Sequence, residues 1–233
     1  MTINELYHHG IIGQKWGVRR YQNKDGSLTL AGKNRYKTVS GKPAKPSTRV
    51  AIDKEIDDNI KNNNLEIKKI IGPHSRMRDL GIVNNGNDTI GRKRNCVMCS
   101  IAYEMRRKGI NVKANETTLG RAPGDIMKTF NIGGNKYRNY YQTVKQLDNS
   151  PSKSRGIIVA GCGSEDVLHS VNWEKIGNSI KIFDPQKNIY YDSIESSIIN
   201  KESESPYYVF RTDDISMGSI NFTMLRDSCL SND

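Results

Sequence analysis

Cys96, in the run Asn95-Cys96-Val97-Met98-Cys99, is followed along the chain by His169 and then by Asp184-Pro185-Gln186, residue types that together can carry out thiol chemistry. A cysteine is a useful nucleophile only as thiolate, and a helix N-terminus or an adjacent imidazolium can supply one. Both devices are readable here. Asn95 stands as N-cap to an amphipathic run from Cys96 to Lys108 that carries basic residues in its last turn and stops at Gly109. Cys96 then falls in the first turn, where unpaired backbone N–H groups favour an anion. Cys99, one turn further in among Ile101, Ala102 and Met105, reads as core.

The other half of the site comes from a hairpin. His169 to Ile176 alternates as a strand, Gly177-Asn178 is a two-residue turn, and Ser179 to Gln186 alternates as the return strand. Closing the hairpin at that turn places His169 opposite Gln186, Val171 opposite Asp184 and Trp173 opposite Ile182, all on one face. Asp184 is then diagonal to His169, a separation that long side chains bridge, and it can orient the imidazole as the third member of a triad orients its base. A slip of one residue would put the two sets on opposite faces.

Spacing alone leaves three roles open for the cysteines: structural thiols, a nucleophile, or half of a zinc knuckle completed by Cys162 with Cys229 or His169. Zinc sites usually show a second close pair, which Cys162 and Cys229 do not form. The zinc-deaminase pattern also fails, because no His-x-Glu precedes the pair and Asn95 stands where its Pro would be. Among the remaining candidates, His8-His9 and His74 have no ligand-like partners at helical spacing. Gly161-Cys162-Gly163 reads as a tight turn after an apolar strand. Tyr137, Tyr140 and Tyr141 beside Lys136 and Arg138 fit a mixed helix surface better than a stacking platform.

Three ordered motifs resemble a known family. Asn95-Cys96-x-x-Cys99 with Ala102-Tyr103-Glu104-x-Arg106-Arg107-x-Gly109-x-x-Val112-x-Ala114, then His169-x-x-Asn172, then Phe183-Asp184-Pro185-Gln186 resemble the papain-fold toxin domains classed as glutamine deamidases. The resemblance spans roughly residues 90 to 215; where the family carries Gly before the histidine, this chain has Leu168. It implies Cys96 as nucleophile, His169 as general base, Asp184 as orienter and Gln186 close beside them, with no cofactor. The reaction implied is hydrolysis of a carboxamide in a host protein; the same groups would serve a peptidase.

The 233 residues suffice for one ordinary domain plus extensions. The net charge of +11 is uneven: residues 1 to 50 hold ten Lys and Arg against Glu5 and Asp25, a net +8, leaving +3 for the rest. Such an arm suits nucleic acid, an acidic protein surface or an anionic membrane equally by charge. Four cysteines with no secretory signal and no apolar stretch of membrane length point to a reducing compartment and to no membrane partner. Within the arm, Tyr7-His8-His9-Gly10-Ile11-Ile12-Gly13-Gln14-Lys15-Trp16-Gly17-Val18-Arg19-Arg20-Tyr21-Gln22-Asn23 resembles a segment found near the termini of tailed-phage and prophage virion-associated proteins, particularly minor head proteins. That resemblance implies a docking module with Trp16, Val18, Arg19, Arg20 and Tyr21 as anchors, a virion or host-cytoplasm location, and, as a rival function, a virion structural or DNA-contacting protein whose papain-like domain is inactive.

The division expected is a docking segment at 1–37, a linker and lead-in at 38–89, a catalytic domain at 90–215 and a tail at 216–233. Residues 51–71 carry a helix signal broken at Asn62-Asn63-Asn64, and 72–92 read as irregular. After the Cys96 helix come a strand at 110–114, helices near 123–130 and 140–147, and strands at 155–162, 169–176, 179–186 and 207–212. Helix first and sheet afterwards makes an α+β, papain-like architecture.

Overall fold

Glu104 sits in the middle of the Cys96 helix with no solvent exposure, and its partners explain how that helix is seated. The computed structural model describes residues 57–58, 60–61, 68–70, 75–84, 89–117 and 119–231. The chain divides between Asp57 and Asp58, and the elements below belong to the second unit, Asp58–Asp233. The N-terminal segment 1–37 with Trp16, Val18, Arg19, Arg20 and Tyr21, the Pro-rich linker after it, and His74 lie outside the described residues.

In chain order the elements are β1 (Lys68–Lys69), α1 (Arg76–Val83), α2 (Cys96–Arg107), β2 (Ile110–Ala114), α3 (Pro123–Phe130), β3 (Asn135–Tyr137), α4 (Tyr140–Asp148), β4 (Arg155–Cys162), β5 (Val167–Ile176), β6 (Ser179–Asp184), β7 (Ile189–Tyr191), β8 (Tyr207–Arg211), α5 (Phe222–Ser228) and β9 (Cys229–Ser231). The fold is α+β. Six strands form one antiparallel sheet in the order β3-β8-β4-β5-β6-β7, and β1-β2-β9 form a second.

The β5–β6 hairpin has the expected register. Trp173 pairs with Ile182 and Ile176 with Ser179, and Gly177 alone of the two turn residues takes positive φ, 63°, as a turn with glycine at its first central position requires. The ladder is shorter than the alternation suggested: it ends at Asn172 with Phe183, so His169 does not pair with Gln186 nor Val171 with Asp184. Beyond that point β5 is paired only with β4, His169 lying opposite Ala160.

The two faces of the large sheet are buried differently. Val171, Trp173, Ile182, Ile158, Tyr207 and Val209 pack under α4, through Tyr140 and Leu147. Gly156 is obligatory there, since a Cβ would stand 1.8 Å from the carbonyl oxygen of Phe210, to which Trp173 Nε1 donates at 3.2 Å. The opposite set of β5, Ser170 and Asn172, faces α2 along a stripe one helical turn apart, Ser100 and Glu104. Ser170 Oγ donates to Ser100 Oγ at 2.8 Å, and Asn172 Nδ2 donates to Ser100 O at 3.1 Å and Glu104 Oε1 at 3.2 Å. Glu104 also accepts from Arg155 Nε at 3.1 Å and Thr212 Oγ1 at 2.7 Å, so its buried charge is paired and hydrogen-bonded. Tyr103 stacks on Phe183 with ring centroids 5.6 Å apart.

Several expectations are corrected. Residues 76–83, read as irregular, form helix α1, held by the buried pair Asp79 and Arg106 at 3.2 Å; a carboxylate on its inner face erases the amphipathic signal. Lys68–Lys69, inside a helix signal, pair with β2 as a strand. The segment read as a tail carries α5, capped by Asn221, and β9, which pairs Val112 with Ser231 and Ala114 with Cys229. Gly161 and Cys162 end β4, and the turn itself falls at Gly163, with φ of 69°.

Candidate functional site

Helix α2 presents Cys96 at its first residue, and the stripe that seats the helix continues to it: Cys96 is one turn before Ser100, whose partner Ser170 is the residue after His169. That hydrogen bond sets the start of α2 beside the end of β5, where Cys96 hydrogen-bonds to the His169 imidazole. His169 Nε2 lies 2.8 Å from Asp184 Oδ2, and Asp184 is fully buried. Asp184 reaches His169 diagonally, one residue past the last β5–β6 pair, Asn172 with Phe183.

Asp184 is held on its far side as well. Its Oδ1 accepts from the backbone N–H groups of Gln186 and Lys187, each at 3.1 Å, an arrangement set by the chain reversing at Asp184-Pro185. Burial, the largest influence on His169, disfavours its charged form, but hydrogen bonds to Asp184 and to Cys96, with their charges, outweigh it and raise the imidazole to about 9. With Nε2 committed to Asp184, Nδ1 is the nitrogen left for Cys96. An imidazole held protonated beside a cysteine is the arrangement that thiol nucleophiles use.

Asn95, expected as N-cap, occupies that position but makes no side-chain cap. Its amide is used elsewhere: Nδ2 donates to Asn84 Oδ1 and Asn115 O, both at 3.0 Å, while Oδ1 accepts from Gln186 Nε2 at 3.2 Å and Cys99 Sγ at 3.3 Å. The buried Asn95 thus ties the start of α2 to three loops and leaves the first-turn N–H groups to other acceptors. Gln186 belongs to this frame: Nε2 donates to Asn95 and to Arg92 O at 3.1 Å, which uses both of its amide protons, and its backbone carbonyl accepts from Asn84 Nδ2 at 2.8 Å. It supports the cysteine's loop and has no amide proton left to offer a substrate.

The four thiols separate cleanly. All are unbridged; Cys96 is partly exposed, and the other three are buried. Burial raises Cys99 well above the usual thiol range, Cys162 to about 12, and Cys229 upward likewise. No three His, Cys, Asp or Glu side chains converge on a metal position among the described residues.

Cys96 and His169 open on a cleft of about 390 Å³. One wall is aliphatic, from Val167, Leu168 and Ile198, with Cys162 beneath. The rim is basic, from Lys93, Arg94, Arg121 and Lys187. Sequence reasoning missed these wall and rim residues, although Lys93-Arg94 and Lys187 directly flank the recognised motifs.

No family model matches this chain, and no curated protein matches it. Among solved structures it is similar to the Salmonella effector SpvD, in a G161 variant, with a TM-score of 0.41 and 15% identity over 73% of this chain and 95% of that one. Among the described residues, no helix is long and apolar enough to cross a membrane.

Proposed function

We propose that this chain is a papain-like thiol amidohydrolase whose substrate is the side-chain amide of a glutamine in a host protein. The observation that carries this reading is the order Cys96, His169, Asp184, with Nε2 on Asp184 and Nδ1 left for the thiol. The Cys96 thiolate attacks the carboxamide carbon, forming the C–S bond, while the developing oxyanion faces the uncapped N–H groups of the first turn of α2. Imidazolium His169 gives its Nδ1 proton to the leaving nitrogen and ammonia departs. Water then attacks the thioester, passing a proton back to Nδ1, and releases glutamate and the thiolate.

The test is incubation of the full chain with glutamine-containing proteins, following ammonia release and the glutamine-to-glutamate mass increment. Loss of both in Cys96→Ala supports the reading. Chain cleavage in place of the mass increment makes the enzyme a peptidase, and persistence of activity without the thiol refutes the nucleophile. The basic segment 1–37 is proposed to dock on a tailed-phage virion protein, with additional contact to nucleic acid; its deletion is expected to abolish particle association and to leave ammonia release intact.

A further inference from the structure

We propose that the cleft selects its substrate by charge and shape together: the reacting amide is presented on an acidic protein segment that seats an aliphatic side chain against Val167 and Leu168. This rests on the reading of Cys96 as nucleophile and adds the class of sequence it accepts. The first observation is the rim. Lys93 and Lys187 are exposed, and Lys187 acts electrostatically on Cys162 inside the cleft. Arg94 and Arg121 complete the ring, Arg121 shared with Asp125 at 3.9 Å. No carboxylate lines the cleft among the described residues, the nearby Asp184 being turned to His169. A concave site lined by one sign of charge focuses its field on the occupant.

The second observation is independent of charge. Val167 is 59% exposed and Leu168 47%, at the strand end immediately before the buried His169. Two adjacent exposed aliphatics beside a reactive thiol form a seat that only an apolar group fills well. No Phe, Tyr or Trp lines the cleft among the described residues, so it lacks the stacking platform that single-stranded nucleic acid uses. A carboxylate-bearing peptide with an aliphatic side chain satisfies both walls.

Three peptides of equal length, each with a central glutamine and a neighbouring leucine but with acidic, neutral or basic flanks, decide the matter. Their equilibrium binding is measured on full-length Cys96→Ala, which cannot turn them over, and their ammonia release on the wild-type chain. The acidic peptide should bind about tenfold tighter than the neutral one at low salt, with the advantage falling severalfold at high salt. Lys93→Gln with Lys187→Gln should cut it severalfold, and Leu168→Ser should weaken all three peptides carrying leucine but not their serine counterparts. Equal binding of the three peptides, an acidic preference undiminished in the double variant, or displacement by inorganic phosphate or an RNA oligonucleotide at the same concentration would overturn the proposal. Acidic preference without ammonia release would sink the reaction and leave the cleft's selectivity standing; ammonia release without acidic preference would do the reverse.

Discussion

Asp184→Asn changes one atom in kind, and the surroundings determine which way the new amide must point. Asp184 Oδ1 accepts two backbone N–H groups, from Gln186 and Lys187, while Oδ2 faces His169 Nε2. An asparagine must keep its oxygen toward the two donors, because turning the amide would set its NH₂ against both and leave two buried donors unpaired, about 1–3 kcal/mol each. Its NH₂ therefore faces His169, and Nε2 must become an acceptor. The imidazole proton moves to Nδ1, the nitrogen that has to take the proton of Cys96, so the neutral ring is locked in the wrong tautomer. The support that carries His169 to about 9 also loses its leading favourable contribution.

We expect ammonia release to fall by about 10⁴-fold, in line with the loss seen when a triad carboxylate becomes an amide, and iodoacetamide alkylation of Cys96 near neutral pH to slow by at least about tenfold. The alkaline limit of the imidazolium, followed by proton NMR of His169, should move down by at least about one pH unit, about 1.4 kcal/mol. Cooperative unfolding with Cys99 still protected would establish that the fold survives. A variant with wild-type alkylation and an unmoved His169 titration would refute the tautomer reasoning.

In brief labelling at neutral pH, Cys96 should be alkylated at least about 100-fold faster than Cys99, Cys162 or Cys229, whose burial raises their pKa values; peptide mapping with Cys99 leading would remove the assignment. His169, raised from about 6.5 to about 9, stabilises the fold most below pH about 6.5 and loses that contribution as the pH rises through 9. The gap in urea stability between wild type and His169→Gln should accordingly narrow between about pH 6 and about pH 10, and a constant gap would contradict it. Asn95→Ala deletes four hydrogen bonds, three of them buried, and should lower stability by about 3 kcal/mol while slowing Cys96 alkylation; thermal unfolding unchanged from wild type would show that the hub carries little.

What could be read from the chain was what repeats locally. Gly109 stops α2 and Gly177 fixes the hairpin, so the elements bearing Cys96, His169 and Asp184 were legible, and the diagonal contact followed from register. The ladder's early end was not, because alternation continues past Phe183 while pairing does not. Asn95 looked like a cap from its neighbours in sequence; its actual partners Asn84, Asn115 and Gln186 come from other segments, and no local pattern announces them. Helix α1 was hidden by its buried Asp79, and the three-residue strands β3, β7 and β9 are too short to show a period. The polar stripe Cys96, Ser100, Glu104 was visible at i, i+4, i+8, and it was the signal that could have placed the thiol against β5.

The docking of α2 on β5 also orders events during synthesis. Cys96 leaves the ribosome about 70 residues ahead of His169, an interval of roughly 4–15 s at ordinary elongation rates, and β2 waits still longer for β9, its partner at Cys229–Ser231. Until β5 and β6 have formed, the nascent thiol has no imidazole beside it and reacts as an ordinary cysteine. A chain interrupted before Asp184 therefore lacks the assembled Cys96, His169 and Asp184 group, which comes together only when nearly the whole unit has been made.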